Sequence, residues 1–139
     1  MWLDRIGGTP KSFCCFFATA RDWAKIGQLF LDRGRVAGKQ VVSSEWIEKM
    51  LTPSSIEPTY GYHIWLKART ENRPSIHQTA DEPFLAQDTF YLDGGSRQRV
   101  FIIPSKKLVI IRVGEQPNNW DDSFIPNTLV LSLSRKDRG

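Results

Sequence analysis

The 139 residues predict an α+β fold, and three observations carry that expectation. Two stretches of helical periodicity come first. A stretch rich in aromatic and β-branched residues follows, broken by turn residues. Nothing along the chain repeats as strand, helix, strand, so the strands are expected to pair antiparallel and not through βαβ crossovers.

The first helix is expected over roughly 20–33. Thr19 stands at its N-cap and Asp22 three residues on, a short-armed version of the capping box. Trp23, Ile26 and Phe30 recur at helical spacing with Leu29 beside them, giving one apolar face. Asp32, Arg33 and Gly34 end it, the glycine serving as a left-handed C-cap. Arg35 to Val42 holds the turn Gly38-Lys39 between short extended pieces. Ser43 or Ser44 then caps a second helix, with Glu45 in its first turn, Trp46, Ile47, Met50 and Leu51 on its apolar face, and Pro53 as its stop.

Pro58 to Leu66, with Tyr60, Tyr62 and Trp65, reads as a strand. Residues 67–88 are polar and contain Pro74 and Pro83, the pattern of a long surface loop, and long loops in small domains often carry function. Thr89 to Leu92 is a short strand leading into Asp93-Gly94-Gly95-Ser96. Gln98 to Ile103 and Leu108 to Val113 are two further strands joined by the turn Pro104-Ser105-Lys106-Lys107. Beyond Pro117, the apolar segment Leu129 to Leu133 is expected to be helical. The chain thus divides into a helical part (1–57), a stranded part (58–116) and a closing helix with its tail (117–139), all within one domain.

Composition removes several function classes. Five Trp and eight Phe are too much aromatic surface for a disordered chain, and no apolar run approaches the ~18 residues of a membrane span. Met1 to Pro10 holds Asp4, Arg5 and two glycines and has no signal-peptide pattern. The net charge of +4 is scattered; its densest run, Arg135-Lys136-Asp137-Arg138, reads as a solvated tail, so no nucleic-acid partner is expected. Cys14 and Cys15 are adjacent, which strains any disulfide between them, and they read as small hydrophobes in a packed segment. His63 and His77 are isolated from other metal-ligating residues, so neither a metal nor a cofactor is expected.

A hydrolytic nucleophile needs an activating partner, and no Ser in the chain has a Lys three residues later, the spacing that sets amine beside hydroxyl on one helical turn. Gly94-Gly95-Ser96-Arg97-Gln98 approaches a nucleophile elbow. Gln98 replaces its last glycine, however, and a strand follows where the elbow needs a helix, so Ser96 is not expected to be a nucleophile. Apolar neighbours would raise the thiol pKa of Cys14 and Cys15. No catalytic residue is therefore assigned. Arg21, Asp22 and Trp23 are expected to cap and pack the first helix, and Trp65 to pack or to line a pocket.

The order of words along the chain is more specific than any one of them. Cys14-Cys15-Phe16-Phe17-Ala18-Thr19-Ala20-Arg21-Asp22-Trp23-Ala24-Lys25-Ile26-Gly27-Gln28-Leu29, then Gly34 to Gln40, Ser44-Glu45-Trp46-Ile47, Thr52-Pro53 and Tyr60-Gly61-Tyr62-His63-Ile64-Trp65 resemble the serine β-lactamase-related hydrolases. This family includes β-lactamases, penicillin-binding proteins, carboxylesterases and 6-aminohexanoate-dimer hydrolases. Gly94-Gly95-Ser96-Arg97-Gln98, followed by Phe101-Ile102-Ile103-Pro104 and Leu108-Val109-Ile110, resembles its third active-site strand and the hairpin after it.

The resemblance implies the C-terminal portion of a β-lactamase/transpeptidase-like fold, an antiparallel sheet with flanking helices. It implies attack on a small-molecule amide or ester by a Ser three residues before a Lys, with a Tyr-x-Asn motif assisting proton transfer, and it leaves the compartment open between bacterial cytoplasm and periplasm. Backbone N–H donors on the third-motif strand would stabilise the charge that develops on the carbonyl oxygen. Gly94, Gly95, Ser96 and Gln98 are the substrate-binding residues so implied, with Arg97 where the family usually has glycine. The Ser-x-x-Lys and Tyr-x-Asn motifs belong upstream of the matched region, and Tyr60, Tyr62 and Tyr91 all lack an Asn two residues on. The chain is thus expected to be inactive alone, to present an unpaired sheet edge, and to need a missing N-terminal segment to complete its fold. The alternative is a non-catalytic ligand-binding module that keeps the same pocket wall.

Overall fold

A computed structural model describes residues 6–9, 16–74, 76–115 and 117–136. Cys14, Cys15 and the tail beyond Lys136 lie outside the described residues. Among the described residues the chain is a small α+β structure with three α-helices and two antiparallel sheets.

Helix α1 spans Ala20–Leu31, and Thr19 caps it by accepting the Asp22 N–H at 3.2 Å while its hydroxyl donates to the Asp22 carboxylate at 2.8 Å. Lys25 binds the other Asp22 oxygen, and these contacts hold the Asp22 carboxyl below its usual pKa, the Lys25 hydrogen bond being the largest cause. The helix ends in a Schellman motif in which Arg33 N–H reaches Phe30 C=O and Gly34 N–H reaches Leu29 C=O. Contrary to the sequence expectation, Arg33 occupies the left-handed cap (φ 50°) and Gly34 follows it, also left-handed at φ 85°. The buried side of α1 is also shifted. Gly27 and Phe30 face inward with Trp23 and Leu31, whereas Ile26 is exposed. Gly27 allows the helix to sit on the sheet, because a Cβ there would come within 2.4 Å of a Val109 methyl.

Strands β1 (Arg35–Val36) and β2 (Lys39–Gln40) form a small hairpin over the left-handed pair Ala37-Gly38. Helix α2 spans Ser44–Met50 with Ser43 as N-cap. It buries Ile47 but leaves Trp46 exposed against Tyr62. The strand expected over 58–66 does not form. Tyr60 and Trp65 instead bridge each other around a tight turn with His63 at φ 58°, and Trp65 alone adds a single bridge to the main sheet at Tyr91. Gly61 fixes this turn in place, since a Cβ there would lie 2.3 Å from the Met50 carbonyl oxygen.

The main sheet is a three-stranded antiparallel meander of β3 (Phe90–Gly94), β4 (Gln98–Ile103) and β5 (Leu108–Arg112). Its register, Gly94↔Gln98 and Ile103↔Leu108, assigns each side chain to a face. Phe90, Leu92, Val100, Ile102, Val109 and Ile111 pack with Phe30, Ile47 and Ile64. On the other face, Tyr91 and Phe101 pack with Phe84, and Ile103 with Ala86 and Val130. The described residues of the segment 67–88 are irregular, and they are not confined to the surface. Arg69, Thr79, Ala80, Phe84 and Ala86 are buried, because the segment forms the cover of that second face. Helix α3, Phe124–Lys136, begins five residues before the apolar run that announced it, with Pro126 in its first turn, where the missing N–H costs nothing. No helix of the described residues is long and apolar enough to cross a membrane.

Candidate functional site

The groove end of the sheet is made by the turn between β3 and β4. Gly94 pairs with Gln98, so Gly95-Ser96-Arg97 is a three-residue connection and the register runs into it without a bulge. The left-handed positions are Ser96 (φ 57°) and Arg97 (φ 60°), not the two glycines. Gly94 is confined by packing, since its Cβ would meet the Gln98 Cβ at 3.2 Å, while Gly95 faces open space.

Gly94, Gly95, Ser96 and Gln98, proposed from sequence, all line one groove of about 600 Å³. Phe16, Phe17 and Trp23 form part of its apolar wall, with Leu92, Val100, Ile111 and Val113 from the sheet. Ser96 makes no side-chain hydrogen bond to a base among the described residues, so nothing there activates its hydroxyl. Trp65 lies away from this groove and packs half-buried beneath the guanidinium of Arg69 at 4.3 Å. His63 and His77 are both exposed, and no group of metal-ligating side chains gathers among the described residues.

The backbone of the turn is held from below by a rung of charge that spacing alone did not reveal. Asp93 pairs with Arg99 across β3–β4, and Arg99 with Arg112 across β4–β5, so the three side chains share a face. Arg99 is fully buried and forms a two-point pair with the equally buried Asp122, Nε to Oδ1 at 2.7 Å and Nη2 to Oδ2 at 3.2 Å. Its Nη1 donates to Asp93 and to the carbonyls of Gln98 (3.0 Å) and Gly94 (3.4 Å). Arg69, entering from the long loop, bonds Asp93 Oδ2 at 2.5 Å and the Tyr91 hydroxyl at 3.0 Å. Trp120 Nε1–H donates to Asp122. Arg112 donates to the Ser96 carbonyl at 2.8 Å and stacks on Trp120 at 4.9 Å.

Two arginines and two aspartates balance in the buried cluster, which is what makes ionised groups tolerable there. Two arginines of one rung thereby take the carbonyls of Gly94, Ser96 and Gln98 as acceptors, fixing the turn that forms the groove wall. Burial pushes the Tyr91 hydroxyl up to about 12; the Asp122 charge adds to the rise, and Arg69 and Arg99 oppose it. Tyr60 is raised as well, by burial first and then by the Asp93 charge.

An antiparallel meander with a groove at one turn, covered by helices and a docked loop, is thus the class of structure that fold and site define. No family model matches the chain, and no curated protein does either. Solved structures do match. One is described as a 6-aminohexanoate-dimer hydrolase from Bacillus anthracis, 24% identical with a TM-score of 0.47, the match covering 86% of this chain and 27% of that one. The chain therefore spans about a quarter of the length of that solved neighbour.

Proposed function

We propose that the chain is the C-terminal part of a serine hydrolase of the β-lactamase-related family, of the 6-aminohexanoate-dimer hydrolase kind, acting on amide or ester bonds. Residues 94–98 are one wall of the substrate pocket in this reading. The nucleophile comes from a Ser-x-x-Lys segment upstream of the matched region, and that same segment completes the sheet. The observation that carries the proposal is the meeting of Gly94, Gly95, Ser96 and Gln98 on a single groove, where the sequence resemblance placed its third active-site motif. The turn is held by carbonyl contacts from Arg99 and Arg112. Such a rigid wall suits a site in which backbone donors must already stand where charge develops.

The test has two arms. The chain alone is expected to give no hydrolysis of nitrocefin or p-nitrophenyl acetate and no fluorophosphonate labelling. Joined to a polypeptide carrying the Ser-x-x-Lys and Tyr-x-Asn part of such a hydrolase, it is expected to gain activity that Gln98→Ala lowers. Covalent labelling of one serine in the isolated chain would refute the upstream nucleophile. Saturable binding of a small ester or amide by a folded monomer, with no activity in either arm, would establish the non-catalytic binding module instead.

A further inference from the structure

Segment 67–88 does more than cover a face of the sheet, because it is tied at two points to the charges that hold the groove turn. The Arg69 carbonyl accepts the Thr79 N–H at 2.9 Å and the Ala80 N–H at 3.1 Å, which folds the segment back on itself. From that anchored backbone the Arg69 side chain runs inward. Its guanidinium lies 4.3 Å from the Trp65 ring, its Nε donates to the Tyr91 hydroxyl at 3.0 Å, and its Nη2 meets Asp93 Oδ2 at 2.5 Å. The Asp93 carboxylate is thereby shared, one oxygen on Arg69 and the other on Arg99. The second tie is the Thr79 carbonyl, which accepts the Asp122 N–H at 2.7 Å and so helps to place the other carboxylate on Arg99. Both anions on Arg99 are therefore tied to this segment, and Arg99 in turn holds the Gly94 and Gln98 carbonyls.

We infer that Arg69 is a positioning residue of the groove, acting through Asp93, and that the docking of segment 67–88 is coupled to the order of the groove wall. The catalytic consequence of this coupling rests on the hydrolase reading given above; the coupling itself does not. The Trp65 ring and the Tyr91 hydroxyl fix the planar guanidinium, so Asp93 meets a donor that is already oriented. Charge makes the same residue matter a second time. Arg69 and Arg99 balance Asp93 and Asp122, and without Arg69 the cluster keeps a surplus negative charge beneath the wall. In the hydrolase reading, negative charge develops on a carbonyl oxygen at that wall. A surplus anion there opposes the transition state and leaves ground-state binding nearly untouched.

Coupling is felt from both ends, and amide hydrogen exchange on the full chain reads both. Arg69→Gln, made at the segment end, is expected to speed exchange at residues 94–98 about tenfold while residues 101–103 keep their protection. Asp93→Asn, made at the groove end, is expected to speed exchange of the Thr79 and Ala80 amides, which it does not touch. This second variant decides the matter if Arg69→Gln unfolds the chain. In the chain joined to a Ser-x-x-Lys and Tyr-x-Asn part, Arg69→Gln is expected to lower kcat about tenfold with KM changed by less than about twofold. Arg69→Lys, which keeps the charge, is expected to recover most of that loss. Groove amides unmoved by Arg69→Gln, or Thr79 and Ala80 unmoved by Asp93→Asn, overturn the inference. So does an active joined protein in which Arg69→Gln raises KM and leaves kcat alone. A joined protein that is inactive with Arg69 in place refutes the hydrolase reading instead, and the exchange result then decides whether Arg69 positions the wall.

Discussion

At one end of the sheet, the turn Pro104–Lys107 spends a single left-handed residue, Lys107 at φ 49°. Proline presets its first dihedral, and the Asp88 carboxylate accepts the Ser105 N–H at 2.6 Å and its hydroxyl at 2.8 Å at an exposed position. At the other end, Gly95–Arg97 puts two successive non-glycine residues into the same unfavourable region, directly after two glycines that do not use it. Each such residue costs about 1–2 kcal/mol, so the conformation persists only where its surroundings over-determine it. Those surroundings are the buried arginines and their carboxylates. The ordinary turn closes the apolar end of the sheet, and the strained one faces the groove. Single left-handed non-glycine residues also occur at Arg33, Ala37 and His63, but among the described residues the groove turn alone sets two of them in succession over a buried charge cluster.

The largest test of that contrast removes one support from each turn. Asp122→Ala strands the buried Arg99 without its two-point partner and is expected to cost about 3–5 kcal/mol in urea unfolding. Asp88→Ala, removing an exposed clamp from the other turn, is expected to cost about 1 kcal/mol. Equal losses would mean that the charge cluster is not what distinguishes the two ends.

Alkaline titration is the next largest. Tyr91 rises from about 10 when unfolded to about 12 in the fold, so the folded state holds its proton more tightly. Its stabilising contribution is complete below pH ~10 and is lost as pH climbs toward 12, by up to about 3 kcal/mol. Urea midpoints followed through that window, with tyrosinate absorbance as the second probe, should show the loss, and Tyr91→Phe should flatten the slope. A tyrosinate signal that titrates near 10 with no change in stability would show that the hydroxyl is not enclosed by the cluster.

Local signals were legible where local chemistry decides the structure. The Thr19 cap, the Ser43 cap, the small hairpin and both edges of the main turn Pro104–Lys107 follow from neighbouring residues. The four groove-wall residues were legible only as a word in an ordered series. The supports beneath them were not, because Arg69, Asp93, Arg99 and Asp122 are spread over more than fifty positions and become neighbours through register and loop docking. Arg69 sits in a polar segment that reads as solvent-facing, and it is buried because its charge is met by Asp93. Residues 58–66 misled in the opposite direction. Their aromatic content matches a strand, but Gly61 seated against the Met50 carbonyl turns the chain back, and the aromatics stack around that turn. One signal was available: two arginines and an aspartate at the ends of strands joined by short turns must share a rung and a face, and such a set needs a buried anion to balance it.

The smallest effect is the most direct measure of strain. Arg97→Gly removes the Cβ from a left-handed residue, relieving about 1–2 kcal/mol in the fold and adding about 0.5–1 kcal/mol of chain entropy to overcome. A net gain of about 0.5–1 kcal/mol is expected from urea unfolding. Ser96→Gly with Arg97→Gly should gain about twice what Lys107→Gly gains at the other turn, because two left-handed residues are relieved in place of one. The carbonyl contacts from Arg99 and Arg112 involve only backbone acceptors of residues 94, 96 and 98, so they survive both substitutions. A loss of stability at the groove turn, alongside a gain at Lys107, would show that the Ser96 and Arg97 side chains hold the turn. The wall would then be built from its own tip and not from the charges beneath it.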